Sequence, residues 1–85
     1  MNVAFTEYGW EDFTYWAVKD RTKLKRILAL IADMQRDPYA GIGKPERLKH
    51  VAGVVYSRRI DQEHRLVYVV LDDDTIVIQQ ARYHY

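Results

Sequence analysis

The period of the hydrophobic pattern changes once along this chain, and that change decides which folds are open to it. Leu24, Ile27, Leu28, Ile31 and Met34 follow the i, i+3, i+4, i+7 spacing of one helix face, while Lys23, Lys25, Arg26 and Asp33 take the other. Pro38 cannot continue a helix, so this one spans about 21–36. Upstream, Gly9, Phe13, Trp16 and Ala17 fall at helical spacing and predict a helix over 7–19 whose aromatic stripe is core. Thr6 is its N-cap, and Glu7, Glu11 and Asp12 put negative charge near its start, where the helix dipole favours it. Beyond Pro38 the pattern turns to β-branched runs, Val54–Ile60, Arg65–Leu71 and Thr75–Arg82. Their connections, Asp61–His64 and Asp72–Asp74, are short enough for antiparallel hairpins. Asn2–Phe5 reads as an edge strand. The expected fold is α+β: two N-terminal helices packed on a small twisted antiparallel sheet, in the order β-α-α-β-β-β, with residues 1–85 as a single domain.

A chain of 85 residues has little core to spare, and 48% hydrophobic residues with 13% aromatic supply one. The absence of cysteine excludes disulfides, thiolate metal sites and thiol nucleophiles. No apolar run approaches a membrane span, and no basic stretch leads into a hydrophobic one near the N-terminus, so a cytoplasmic protein is expected. Residues 37–47 (DPYAGIGKPER) hold both prolines and two of the four glycines, which marks a long surface loop of the kind that carries function. Charge is uneven. The formal net charge is +1, but 44–65 carries a basic excess through Lys44, Arg47, Lys49, Arg58, Arg59 and Arg65. A local basic centre in a near-neutral chain suits an anion site, or is a solvated face.

Few side chains are available for chemistry. His50, His64 and His84 lack the spacing with which one element binds a metal, so no metal and no other cofactor is expected. GIGKPE does not join a strand to a helix and is no phosphate loop, and Ser57 lies in mid-strand. The remaining constellation suits cleavage of RNA without a metal. That reaction needs a base for the 2′-hydroxyl, cations for the phosphorane and an acid for the departing 5′-oxygen. Glu46 fits the base, Arg59, Arg65 and Lys49 the cations, and His84 the acid. Tyr56, Tyr83 and Tyr85 offer flat surfaces for unpaired bases. On spacing alone, the alternative of an unremarkable surface histidine at 84 stays open.

The segments GKPERLKH (43–50), YSRRIDQEHRLVYVV (56–70) and ARYHY (81–85) resemble the YoeB/Txe branch of the RelE-like toxins. The likeness extends to Trp10, Asp12 and Trp16 in a W-x-D-x-x-x-W pattern and to RDPYAGIGKPE at 36–46. It implies an α+β toxin of a bacterial toxin–antitoxin pair that cuts messenger RNA in the ribosomal A site, leaves a 2′,3′-cyclic phosphate and stops translation. It implies Glu46 as general base, His84 as general acid and Arg65 as the residue holding the scissile phosphate. Lys49, His50 and Arg59 match positions around the phosphate, Glu63 an orienter of Arg65, and Tyr85 and Tyr56 stacking aromatics. At Val54–Val55 a bulky aromatic sometimes seen in the family is missing, which touches base stacking. The resemblance also implies a homodimer, a cognate Phd/YefM-type antitoxin covering the site, and operator DNA bound only through the antitoxin complex.

Two other readings use the same residues: a non-cleaving RNA or ribosome binder, and a subunit working mainly in a DNA-binding complex. One geometric condition can be set in advance. Arg59 and Arg65 share a sheet face only if paired residue numbers sum to an even value, as Ile60 with His64 gives, whereas pairing Asp61 with His64 separates them; the first, or a bulge with the same effect, is expected. In the last strand, Gln80, Arg82 and His84 are expected on one face and Tyr83 and Tyr85 on the other.

Overall fold

In the computed structural model, which describes residues 1–83, the chain runs β1 (Asn2–Phe5), α1 (Glu7–Lys19), α2 (Arg21–Arg36), β2 (Glu46–Arg47), β3 (Val55–Arg59), β4 (Arg65–Leu71) and β5 (Thr75–Gln80). Thr6 caps α1 as expected, its hydroxyl oxygen accepting the Gly9 N–H at 3.1 Å. Asp20 alone joins the helices. Its N–H closes α1 on the Trp16 carbonyl, and its carboxylate opens α2 by accepting from Thr22 and Lys23. Asp37, extended at φ −155°, ends α2 immediately before Pro38. No described helix is long and apolar enough to cross a membrane.

The five strands lie in the order β1-β5-β4-β3-β2. The α+β class holds, but the sheet is mixed, because β1 pairs parallel with β5, Asn2 opposite Thr75 and Phe5 opposite Ile78. The chain must leave β1 directly into α1 across the same sheet, and the Thr6 N–H to Ile78 O bond of 2.9 Å fixes that exit. Gly9 then lies against the Ile78 carbonyl with no room for a Cβ. The other pairings are antiparallel, and Arg59 stands opposite Arg65, the even register that puts both on one face. Two boundaries differ from expectation. Glu46–Arg47 form a short strand on β3 rather than the end of a loop. β5 stops at Gln80, and with Tyr83 in the left-handed region (φ 60°) the expected alternation through Arg82 and Tyr83 does not occur. The core lies between the helices and one sheet face, with Trp16, Ile27, Leu30 and Met34 meeting Leu66, Tyr68, Ile76 and Ile78. Leu30 takes the core place expected of Leu28, which is exposed, as is Ala17 in α1.

Arg58 is the least expected member of that interior. It is fully buried, and its Nη1 donates to Asp33 Oδ2 at 2.6 Å. The rest of its fork reaches the carbonyls of Asp37, Ala40 and Ile42 and the Tyr68 hydroxyl, which itself donates to Pro38 O. Arg58 therefore belongs to no anion-binding surface; it ties down the loop that leads to β2. Gly43 ends the tie with φ 80°, its carbonyl accepting the Arg59 N–H at 2.7 Å, and an added Cβ would stand 2.7 Å from Leu30 Cδ2. The Arg58 bond, the Ile42 N–H and Arg36 hold the Asp33 carboxyl at about 2, below its ordinary 3.8. Burial would raise Asp61, but Lys23 and the N–H groups of His64 and Glu63 outweigh it and bring that carboxyl to about 2 as well.

Both acids are depressed, so their contribution to stability is complete above their unfolded value near 3.8 and is lost as pH falls towards 2. Urea midpoints should hold above about pH 5 and fall steeply between about pH 4 and 2. The stability gap between wild type and Asp33→Asn should close over the same interval. A gap constant with pH would deny Asp33 this role.

Candidate active site

The sheet face away from the helices carries the polar cluster. Alternation along β3 sends Tyr56 and Arg58 to the core side and Ser57 and Arg59 to the open side. Glu46 pairs with Ser57 across β2 and β3, and Arg59 with Arg65 across β3 and β4. A carboxylate, a hydroxyl and two guanidiniums thus share one patch of sheet across three neighbouring strands, set by register. Arg65 Nε donates to Ser57 Oγ at 2.9 Å, and its Nη2 lies 3.5 Å from Glu46 Oε2. That Nη2 is buried and makes no hydrogen bond among the described residues. The two partners are exposed unequally: the Arg65 side chain is 17% accessible and Glu46 66%, so the arginine is embedded while the carboxylate faces solvent. A depression of about 170 Å³ opens between Arg59 and Arg65, with Asp61 and Gln62 on its rim.

The turn that starts β4 has its own support. Asp61 accepts from the Glu63 and His64 N–H groups and pairs with Lys23 at 2.7 Å, which pins the hairpin to α2. This turn directs Glu63 to His64, whose Nε2 lies 3.1 Å from Glu63 Oε1. The expected orienter of Arg65 is therefore not Glu63; Ser57 and Glu46 hold the guanidinium instead. Ser57 was missed because a mid-strand serine gives no signal until its cross-strand neighbours are known.

The other sequence candidates separate clearly. Lys49 and His50 are exposed in the bend after β2, His50 at φ 66°, and Lys49 borders the same depression as Glu46. Tyr56 does not join the cluster. It faces the helices between Tyr39 and Tyr68, with ring centroids 5.4 and 6.1 Å away. Tyr83 is exposed at the end of the described chain, its ring 5.4 Å from His64. His84 and Tyr85 lie outside the described residues. Arg58, counted with the basic stretch in the sequence, is inside the core.

Comparison with known proteins gives this arrangement a family. Residues 5–85 match the model of the YoeB-like toxin of bacterial type II toxin–antitoxin systems. The chain is 54% identical over its full length to the toxin YoeB of Streptomyces coelicolor, covering all of both chains. It is 47% identical to the toxin YoeB of Escherichia coli, again over the whole of each. Among solved structures, a YoeB/ParE toxin from Agrobacterium tumefaciens superposes with a TM-score of 0.95 at 38% identity, covering 100% of both chains. A YoeB–YefM complex from Staphylococcus aureus aligns at a TM-score of 0.88 and 42% identity, covering 100% of this chain and 98% of that one. With its helices, mixed sheet and open-face cluster of Glu46, Ser57, Arg59 and Arg65, the chain belongs to the YoeB-like toxin family of type II toxin–antitoxin systems.

Proposed function

We propose that this toxin is an endoribonuclease that cuts messenger RNA in the ribosomal A site without a metal, and so stops translation in the bacterial cytoplasm. The Glu46 carboxylate takes the proton of the 2′-hydroxyl, and the 2′-oxygen attacks the adjacent phosphorus. Arg65, with Arg59 and Lys49, carries the charge that builds on the phosphorane oxygens. The bond to the 5′-oxygen breaks, His84 supplies that oxygen's proton, and a 2′,3′-cyclic phosphate remains. His50 and Tyr85 flank the substrate in this reading. The observation that supports it is the embedded Arg65, whose Nη2 has no hydrogen-bond partner among the described residues and lies 3.5 Å from a solvent-facing Glu46. Two arginines directly opposite on a hairpin repel one another, a cost that an oxyanion between them removes. One of the structures similar to this chain is a YoeB dimer and another a YoeB–YefM complex, both from Staphylococcus aureus. The reading extends accordingly to a homodimer, to a YefM-type antitoxin that covers the basic cluster, and to operator DNA bound only through that complex.

Purified toxin, ribosomes and a message in EDTA should give new RNA ends by primer extension, and Glu46→Ala should slow their appearance by about 10²–10⁴-fold. Bound message without new ends would leave only a binder. Undiminished cutting by a folded Glu46→Ala/His84→Gln double variant would reject both assignments.

A further inference from the structure

β5 ends at Gln80, yet the chain beyond it is gripped. The Ala81 N–H donates to Asp12 Oδ2 at 2.9 Å, and the Ala81 carbonyl accepts from the buried Trp16 indole at 2.8 Å. Two residues on, the Tyr83 N–H donates to His64 Nδ1 at 2.8 Å, and the Tyr83 carbonyl accepts the backbone N–H of Arg65 at 3.0 Å. Three side chains and one backbone group thus replace the strand partners that the end of β5 lacks, each matched in donor and acceptor sense. His64 Nδ1, as the acceptor, carries no proton, and the ring is fixed by Trp16 at 4.8 Å between centroids. Trp16 and Ala81 belong to the core, but packing alone does not call for the polar contacts around them. A carboxylate on Ala81, a ring nitrogen on Tyr83 and a left-handed Tyr83 at φ 60° fix a direction for the chain as well. Backbone conformations of that kind persist where their surroundings hold them, and gather at functional sites.

Arg65 sits at both ends of the device. Its backbone N–H holds Tyr83, the residue from which the chain continues into His84, while its side chain holds Ser57 and approaches Glu46. We infer that Asp12, Trp16 and His64 are positioning residues for the cleavage, which fix Ala81–Tyr83 against Arg65 and so fix the residue that leads into the general acid. The inference rests on the nuclease reading above. It gives Asp12 and Trp16, on a helix whose residues take no part in the chemistry, a share in the rate.

Three substitutions test it. Trp16→Phe keeps an aromatic ring in the core and removes only the indole donor. His64→Leu removes the acceptor for Tyr83, and His64→Asn restores one, since the amide oxygen can stand near the place of Nδ1. Trp16→Phe and His64→Leu should each lower kcat by about 10–100-fold, the size expected of a small misplacement of a reacting group, with KM for ribosome-bound message nearly unchanged. His64→Asn should recover most of the loss. Amide exchange should quicken at Tyr83 and not at Tyr68, which lies in the central strand. Variants with a loosened Tyr83 amide and wild-type kcat would overturn the proposal, and so would equal quickening at Tyr68, which reports a damaged core. If wild type itself left the message intact, the nuclease reading would fall; failure of the clasp alone would instead leave wild type and variants cutting equally well.

Discussion

A toxin with Arg65 replaced by lysine should fold and yet cut ribosome-bound message about 10²–10³-fold more slowly, the loss typical of removing one preorganised donor from a developing oxyanion. Arg65 acts at two points at once, Nε on Ser57 Oγ at 2.9 Å and Nη2 beside Glu46 at 3.5 Å. A lysine ammonium is a single point on a flexible stem and cannot span both. The change in stability should be small. Losing one bond to Ser57 costs about 1 kcal/mol, or roughly 4–8 °C in Tm for a domain this size. Single-turnover primer extension with excess toxin, beside a thermal melt followed by circular dichroism, separates the two effects. Ser57→Ala should slow cleavage by a smaller factor, because it frees Nε without removing the charge. An Arg65→Lys protein cutting at the wild-type rate would take Arg65 out of the site.

The second large effect concerns Arg58, one position before the end of β3, on the other arm of the hairpin and opposite in purpose. Arg58→Met should destabilise the protein by about 3–5 kcal/mol, the range for breaking a buried ion pair by removing one partner. Methionine fills much of the volume but leaves three loop carbonyls and the Tyr68 hydroxyl without the Arg58 donor, and Asp33 Oδ2 with the Ile42 N–H in place of an ion pair. Against a total stability of about 5–15 kcal/mol, such a loss lowers Tm by roughly 12–40 °C. Urea unfolding measures it directly. Lysine at 58 should not restore stability, since one ammonium cannot reach carbonyls on several sides. A loss below about 1 kcal/mol, the size of a single ordinary hydrogen bond, would show that the loop holds itself. Arg58 and Arg59 are thus adjacent in sequence and separate in place: one side chain is inside the fold and the other is exposed on the opposite sheet face.

Much of this was legible in the residues because it depends on local chemistry. Thr6 and Pro38 bound the helical region, and β-branched runs with short connections gave three antiparallel strands. The Arg59–Arg65 pairing is the even register expected from setting Ile60 against His64, and the Ile60 N–H donates to His64 O at 2.9 Å. What was not legible depends on which strands meet. Asn2–Phe5 reads as a strand, but nothing in it specifies a parallel partner 73 residues away. Glu46–Arg47 is too short to carry a β pattern and becomes a strand only because β3 offers a free edge. Ser57 looks inert, Glu63 looks like a partner for Arg65, and Tyr56 looks available for a base. The pleat reverses the judgement on Ser57 and Tyr56, and the turn before β4 reverses it on Glu63.

The same division runs through the site. Sequence alone determined which groups this protein owns: a carboxylate at 46, guanidiniums at 59 and 65, an imidazole at 84, and no thiol. It also determined the helical and extended segments that carry them, because periodicity and capping act over a few residues. Only the tertiary structure decided that Arg58 is spent inside on Asp33 while Arg65 keeps a buried Nη2 beside Glu46 with no hydrogen bond among the described residues. Arginines are alike in a sequence and differ only by what lies within reach of the fork, and that depends on strand register and on contacts between residues far apart in the chain.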